Sequence, residues 1–218
     1  MVLNRRAAAV VAVVLLMVTS GCIGFLTGSE PLRFSAEPAA VSGSAAEDAG
    51  YEYNGTRELT VNRSLDVGGQ ERRVVATNRI ADYTKSADLG PLGEAEVGVF
   101  NVVTTPAVEV AGQTLNPIGS YSNARLVEFV QQQYSGLGDI QRVSQRNVTI
   151  QGTETTVTKF SATATIKRQE VDVFVHVTKY RSGDDFVVAI GVYPQQLEAS
   201  EEPNVLSLLR AIDHPVDA

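Results

Sequence analysis

Residues 186–193 read Phe-Val-Val-Ala-Ile-Gly-Val-Tyr and hold no polar side chain. A strand with one wet face would alternate apolar and polar residues, so an unbroken apolar run of this length predicts a central strand covered on both faces. Three more strand-like segments precede it, at 143–150, 155–166 and 171–180, with Gly152 and Ser182-Gly183-Asp184 as two of their turns. Upstream, two strands are expected to flank Gly68-Gly69, a dipeptide suited to the positive φ angles of a tight hairpin. The run 97–104 ends before Pro106, and 107–110 is expected to form a partner strand beyond it.

Helices are fewer. Residues 42–49 predict a short one, with Ser44 and Glu47 spaced as a capping box and Gly50 as its stop. A second is capped by Ser122, shares one face among Leu126, Phe129, Val130 and Tyr134, and stops at Gly136 and Gly138. A last helix starts near Ser200, carries Glu201 and Glu202 in its first turn, and turns Val205, Leu208, Leu209 and Ile212 inward. Hairpin-linked strands around one mid-chain helix imply an α+β fold: an antiparallel sheet of about six to eight strands packed against helices in a single domain over residues 33–218.

The N-terminus predicts where that domain is held. Arg5-Arg6 precede an apolar run at 7–18, and Thr19-Ser20-Gly21 lead directly into Cys22, the chain's one cysteine. A basic stretch, a short apolar run and small residues make a secretory signal, and a cysteine at the cleavage point supplies a thiol for a lipid. Residues 1–21 are therefore expected to be removed, leaving lipidated Cys22 on a flexible tether, 22–32, that fixes the protein to the outer face of the cell membrane. The competing reading is an uncleaved membrane helix, since 7–29 carries no charge. Glycines and hydroxyl side chains across 19–28 speak against it.

The chain has 18 Lys plus Arg against 25 Asp plus Glu, net −7, and loss of Arg5 and Arg6 with the signal leaves 16 against 25, net −9. Only Lys85, Lys159, Lys167 and Lys179 are lysines. An acidic, lysine-poor surface suits a protein adapted to concentrated salt, where self-repulsion is screened. It also disfavours nucleic acid, whose phosphates call for a basic face. Three sequons, at Asn54, Asn62 and Asn147, are candidate N-glycosylation positions, and Asn62 and Asn147 fall on the polar side of alternating strands.

Catalytic, cofactor and metal sites find no support in the sequence. His176 shares a strand face with Asp172, Phe174 and Thr178, but Asp172 lies about 13 Å away along an extended chain, so His176 reads as a histidine on a partly exposed sheet face. His214, next to Pro215, is expected to be mobile. Two histidines and one cysteine do not make a usual zinc site. Asp184-Asp185 reads as a turn, whereas Asp82, Asp88, Glu94 and Glu96 are expected around the loop Asp88, Leu89, Gly90, Pro91, Leu92 and Gly93, a candidate interaction surface.

The segments Gly21-Cys22-Ile23-Gly24-Phe25, Asp88-Leu89-Gly90-Pro91-Leu92-Gly93, 100–106, Asn116-Pro117, Asp184-Asp185-Phe186-Val187-Val188 and Gly191-Val192-Tyr193-Pro194 resemble a family of haloarchaeal lipoproteins of unknown function. That resemblance implies a halophilic archaeal source and a lipid-anchored surface location, and no activity. The order of elements is more distantly similar to PsbP-like and LpqN-like extracytoplasmic domains, which are binding or assembly factors. The expectation is a binding or assembly module in the cell envelope whose partner is an envelope protein or a small molecule. The alternatives are a passive structural envelope protein and a hydrolase using His176. Cys22→Ser is expected to release the protein from membranes into the soluble fraction; retention on the membrane would indicate the uncleaved helix.

Overall fold

A computed structural model describes residues 30–67, 70–88, 94–110, 113–133, 136–166 and 169–217. The chain forms two compact units. One comprises Thr60–Ala76 with the described residues up to Phe34; the other is Ser35–Leu59 with Thr77–Ala218. The first unit holds most of strand β1 (Leu32–Ser35), the C-terminal part of β3 (Glu52–Val67) and the N-terminal part of β4 (Gln70–Asp88).

The second unit contains β2 (Ala40–Val41), α1 (Gly43–Ala49), β5 (Glu94–Pro106), β6 (Glu109–Val110), β7 (Gln113–Thr114), a 3-10 turn at Pro117–Ser120 and α2 (Asn123–Gln133). Then come β8 (Leu137–Ile150), β9 (Thr153–Ile166), β10 (Gln169–Ser182), β11 (Asp185–Pro194), a 3-10 turn at Gln195–Leu197, α3 (Glu198–Arg210) and β12 (Ile212–Asp213). The main sheet has eight strands in the order β1-β4-β5-β11-β10-β9-β8, with β3 paired to β4. From β4 to β8 every neighbour is antiparallel. The α+β class and the strand count expected from the sequence are both realised.

Strand β11 lies between β5 and β10. Its Val187, Ala189 and Tyr193 face α1 and α3 in a core with Phe100, Val205, Leu208 and Leu209. Its Val188, Ile190 and Val192 face the other way, where Leu126 and Val127 of α2 pack on Phe160, Val173, Val175 and Val177. Alternation thus sends every second residue to a different helix layer, which is why residues 186–193 are an unbroken apolar run.

Several local expectations are corrected. Helix α1 starts at Gly43 with Ser42 as its N-cap, so Ser44 and Glu47 make no capping box. The Ser42 N–H donates to Ala211 O at 2.9 Å and fixes the entry point. Gly50 does end the helix, in left-handed backbone at φ 74°. Ser122 caps α2 through the Arg125 N–H at 3.2 Å. The buried face of α2, however, is Leu126 and Val127, while Phe129 is 42% exposed, and Gly138 already belongs to β8. Tyr134 lies outside the described residues. The strand expected at 107–110 shrinks to β6, because Val108 adopts φ 49°. His214 is not mobile: it is buried, and the Val216 N–H donates to Pro38 O at 3.0 Å.

Gly191 sets how closely α3 approaches the sheet. A Cβ there would stand 2.7 Å from Val205 Cγ1 and 3.3 Å from Phe100 Cδ2. Gly191→Ala is therefore expected to lower stability by about 1–3 kcal/mol, seen as a lower midpoint in chemical denaturation, with α3 displaced outward.

Candidate functional site

Helix α3 is held over the sheet by charge as well as by apolar surface. Lys159, on β9 and 5% exposed, donates to Glu198 and, at 2.6 Å, to Glu202. Its Nζ sits 3.9 Å from the centre of the Phe174 ring. Arg146 on β8 closes on the other side of Glu202. Burial alone would raise the Glu202 carboxyl, but the hydrogen bond and charge of Lys159, with Arg146 beside it, hold it below the usual carboxylate range. One residue before it, Glu201 is 3% exposed and accepts from Lys85 at 2.7 Å, Tyr51 Oη at 3.2 Å and Asn204 at 3.2 Å.

His176 lies beneath this network. It is 1% exposed, so it is not on a partly exposed sheet face: α3 covers that face. Its Nε2 and the Tyr193 hydroxyl share a hydrogen bond of 2.9 Å, with the rings stacked 5.5 Å apart. Desolvation pushes the imidazole pKa down to about 4, which keeps it neutral. Asp172 is exposed and takes no part. A group sealed in this way does not reach a substrate, so the geometry gives the hydrolase reading no support.

Asp185 is also not a turn residue alone. Only Asp184 stays in the turn; Asp185 is 4% exposed and accepts from the Glu37 N–H at 2.9 Å and from His214 Nε2 at 3.1 Å. Asp82, expected near the loop that follows β4, instead accepts from Arg57 at 2.8 Å and Asn101 at 2.6 Å. It stands opposite Asn101, well down the ladder from the Asp88–Glu94 pair at its end.

An open surface with chemical character exists elsewhere. A cleft of about 670 Å³ is lined by Tyr51, Tyr53, Tyr83, Arg79, Glu47 and Asp217, among others. Gly55 makes it. With φ at 107°, Gly55 breaks the two-residue alternation of β3, so that Tyr53 and Thr56, three apart, both line the cleft and share a 2.6 Å hydrogen bond. Tyr53 packs at 5.2 Å on Tyr83. The Tyr83 hydroxyl accepts from the Val41 N–H at 2.8 Å, and that ring is 1% exposed; Tyr53 is 50% exposed. Arg79 is bridged to Glu58 at 2.6 Å. Sequence reading missed this site, although the Tyr51-x-Tyr53-x-Gly55 spacing was its one local signal.

The family described as "Domain of unknown function (DUF6517)" matches residues 38–213. The chain belongs to this family. No curated protein matches it. Among solved structures it is similar to cyanobacterial PsbP (CyanoP) from Synechocystis sp. PCC 6803, at 9% identity over 83% of this chain and 93% of that one, TM-score 0.39. It is similar also to PA94 of Pseudomonas aeruginosa, a protein of unknown function, at 12% identity over 72% and 99%, TM-score 0.38. A third is LpqN, involved in cell envelope biogenesis of Mycobacterium tuberculosis, at 10% identity over 80% and 97%, TM-score 0.36. These values are too low for what is said of those proteins to pass to this chain.

Of the residues singled out in the sequence, Cys22 and the loop Leu89, Gly90, Pro91, Leu92, Gly93 lie outside the described residues, and Asp88 ends β4 opposite Glu94. Asn54, Asn62 and Asn147 are all exposed on strands. Asn54 donates to Thr84 Oγ1 at 2.8 Å and Asn147 to Glu154 at 3.0 Å. Among the described residues no helix is long and apolar enough to cross a membrane, and no group of three or more His, Cys, Asp or Glu is placed to hold a metal ion.

The neutral His176 carries a pH signature. Below the ordinary histidine range the unfolded chain takes up a proton that the folded chain resists down to about pH 4, so stability falls as pH drops through that window. The loss is expected to reach about 3 kcal/mol by pH 4. Urea denaturation of wild type and His176→Gln at pH 7 and pH 4.5 checks it: the wild type should lose more stability than the variant, and parallel losses would refute the assignment.

Proposed function

We propose that this chain is a lipid-anchored, extracytoplasmic binding module of the cell envelope, with the tyrosine-walled cleft as its contact site. The observation that carries the reading is Tyr53: an aromatic ring half exposed in a concave site while the buried ionisable groups around it are consumed in packing. Large aromatic surface left open in a cleft of this volume is what a binding pocket provides. The signal and Cys22 support the anchored location, and the exposed Asn54, Asn62 and Asn147 suit glycan acceptors on an outer surface. The loop from Asp88 to Gly93 is a second candidate contact surface.

Native mass spectrometry of the protein extracted from its own membranes tests this. The expected mass begins at lipid-modified Cys22, with glycan on used sequons, and retains a ligand or subunit that is lost on Tyr53→Ala. A lipidated protein that is bare in wild type would overturn the binding role in favour of a passive structural one.

A further inference from the structure

Resting on the binding reading above, we infer that the cleft selects small organic cations bearing a substituted ammonium group. Charge and ring geometry both point this way. Among the described residues, the one cationic side chain lining the cleft, Arg79, is already neutralised by Glu58 at 2.6 Å. Lys85, whose Nζ stands 5.7 Å from the Tyr51 ring centre, is taken by Glu201 at 2.7 Å. Glu47 and Asp217 line the same cleft, are exposed, and are in no ion pair among the described residues. The site is therefore left with uncompensated negative charge, and an anionic ligand would meet repulsion.

The wall beside those carboxylates is aromatic. Tyr53, tilted 41° against Tyr83, lines the cleft half exposed, with its hydroxyl occupied by Thr56. A ring face attracts an ammonium within about 6 Å of its centroid. A bare metal ion holds its water shell too tightly to profit from that face, whereas a methylated ammonium is bulky, weakly hydrated and able to fill apolar contact with Val41, Ala46 and Val216 at the same time. The volume of about 670 Å³ accommodates a solute of this kind with room for one polar arm. Tyr83, locked by Val41, keeps the ring wall in place without the ligand.

Isothermal titration calorimetry of the full chain, in a detergent free of ammonium groups and at constant ionic strength, reads this directly. The probes are choline and its neutral isostere 3,3-dimethylbutan-1-ol. Saturable choline binding about ten-fold or more tighter than the isostere is expected, with Tyr53→Leu weakening it about ten-fold. Glu47→Gln combined with Asp217→Asn should weaken choline about three-fold or more and leave the isostere unchanged. Tyr53, Glu47 and Asp217 are exposed, so these variants are expected to fold, and circular dichroism verifies it. Equal binding of the two probes, both lost in Tyr53→Leu, would overturn the ammonium inference and leave the cleft as a binding site. No binding of either probe to wild type would overturn it too, and the ligand retained in the native extraction would then decide the broader reading independently.

Discussion

Lys159 is the interaction on which the second unit depends. An ammonium with 5% exposure is costly to bury, and the cost is offset only because two glutamates of α3 and the face of Phe174 surround it. The arrangement fixes one register of α3: Glu198 and Glu202, four residues apart, must both fall on the sheet side. Leu208, Leu209 and Val205 then follow onto Phe100, Ala189 and Gly191. Apolar burial supplies most of the attraction between helix and sheet; the buried cation supplies the position.

The same device recurs. Lys179, on the opposite face of β10, donates to the carbonyls of Ile118, Gly119 and Tyr121 at 2.7–2.8 Å and so closes the 3-10 turn ahead of α2. Lys85 does likewise for the end of α1, donating to Ala49 O at 3.0 Å while paired to Glu201. In each case a long donor-rich side chain satisfies groups that the ends of helical segments leave unpaired. The three described lysines are thus spent on holding helical segments, and Glu47 and Asp217 are left exposed at the cleft.

How much of this was readable in advance differs by kind of signal. The buried strand at 186–193 and the Gly50 stop rest on local chemistry, and local chemistry decided them. Phe129 was placed on the wrong side because helical spacing defines a stripe, and which edge of the stripe meets the sheet is set by packing. His176 and Asp185 were misjudged for a related reason: alternation gave the His176 face and turn chemistry put Asp185 at a hairpin, but what covers each is a long-range fact, here α3 for one and His214 for the other. The cleft was invisible because Gly55 reverses the alternation that sequence reading assumes.

The pairing of β2 with β12 has one more consequence. With Asp185 holding both Glu37 and His214, and Val216 bonded to Pro38, the beginning and end of this unit meet. Its covalent path is nearly a ring. A short linker joining 217 to 36 would add little closure entropy, and the turn at Gln151-Gly152 or Gly183-Asp184 would then serve as new chain ends. Permuted in that way, Tyr53 and Tyr83 would keep their packing on a chain that starts at one of those turns.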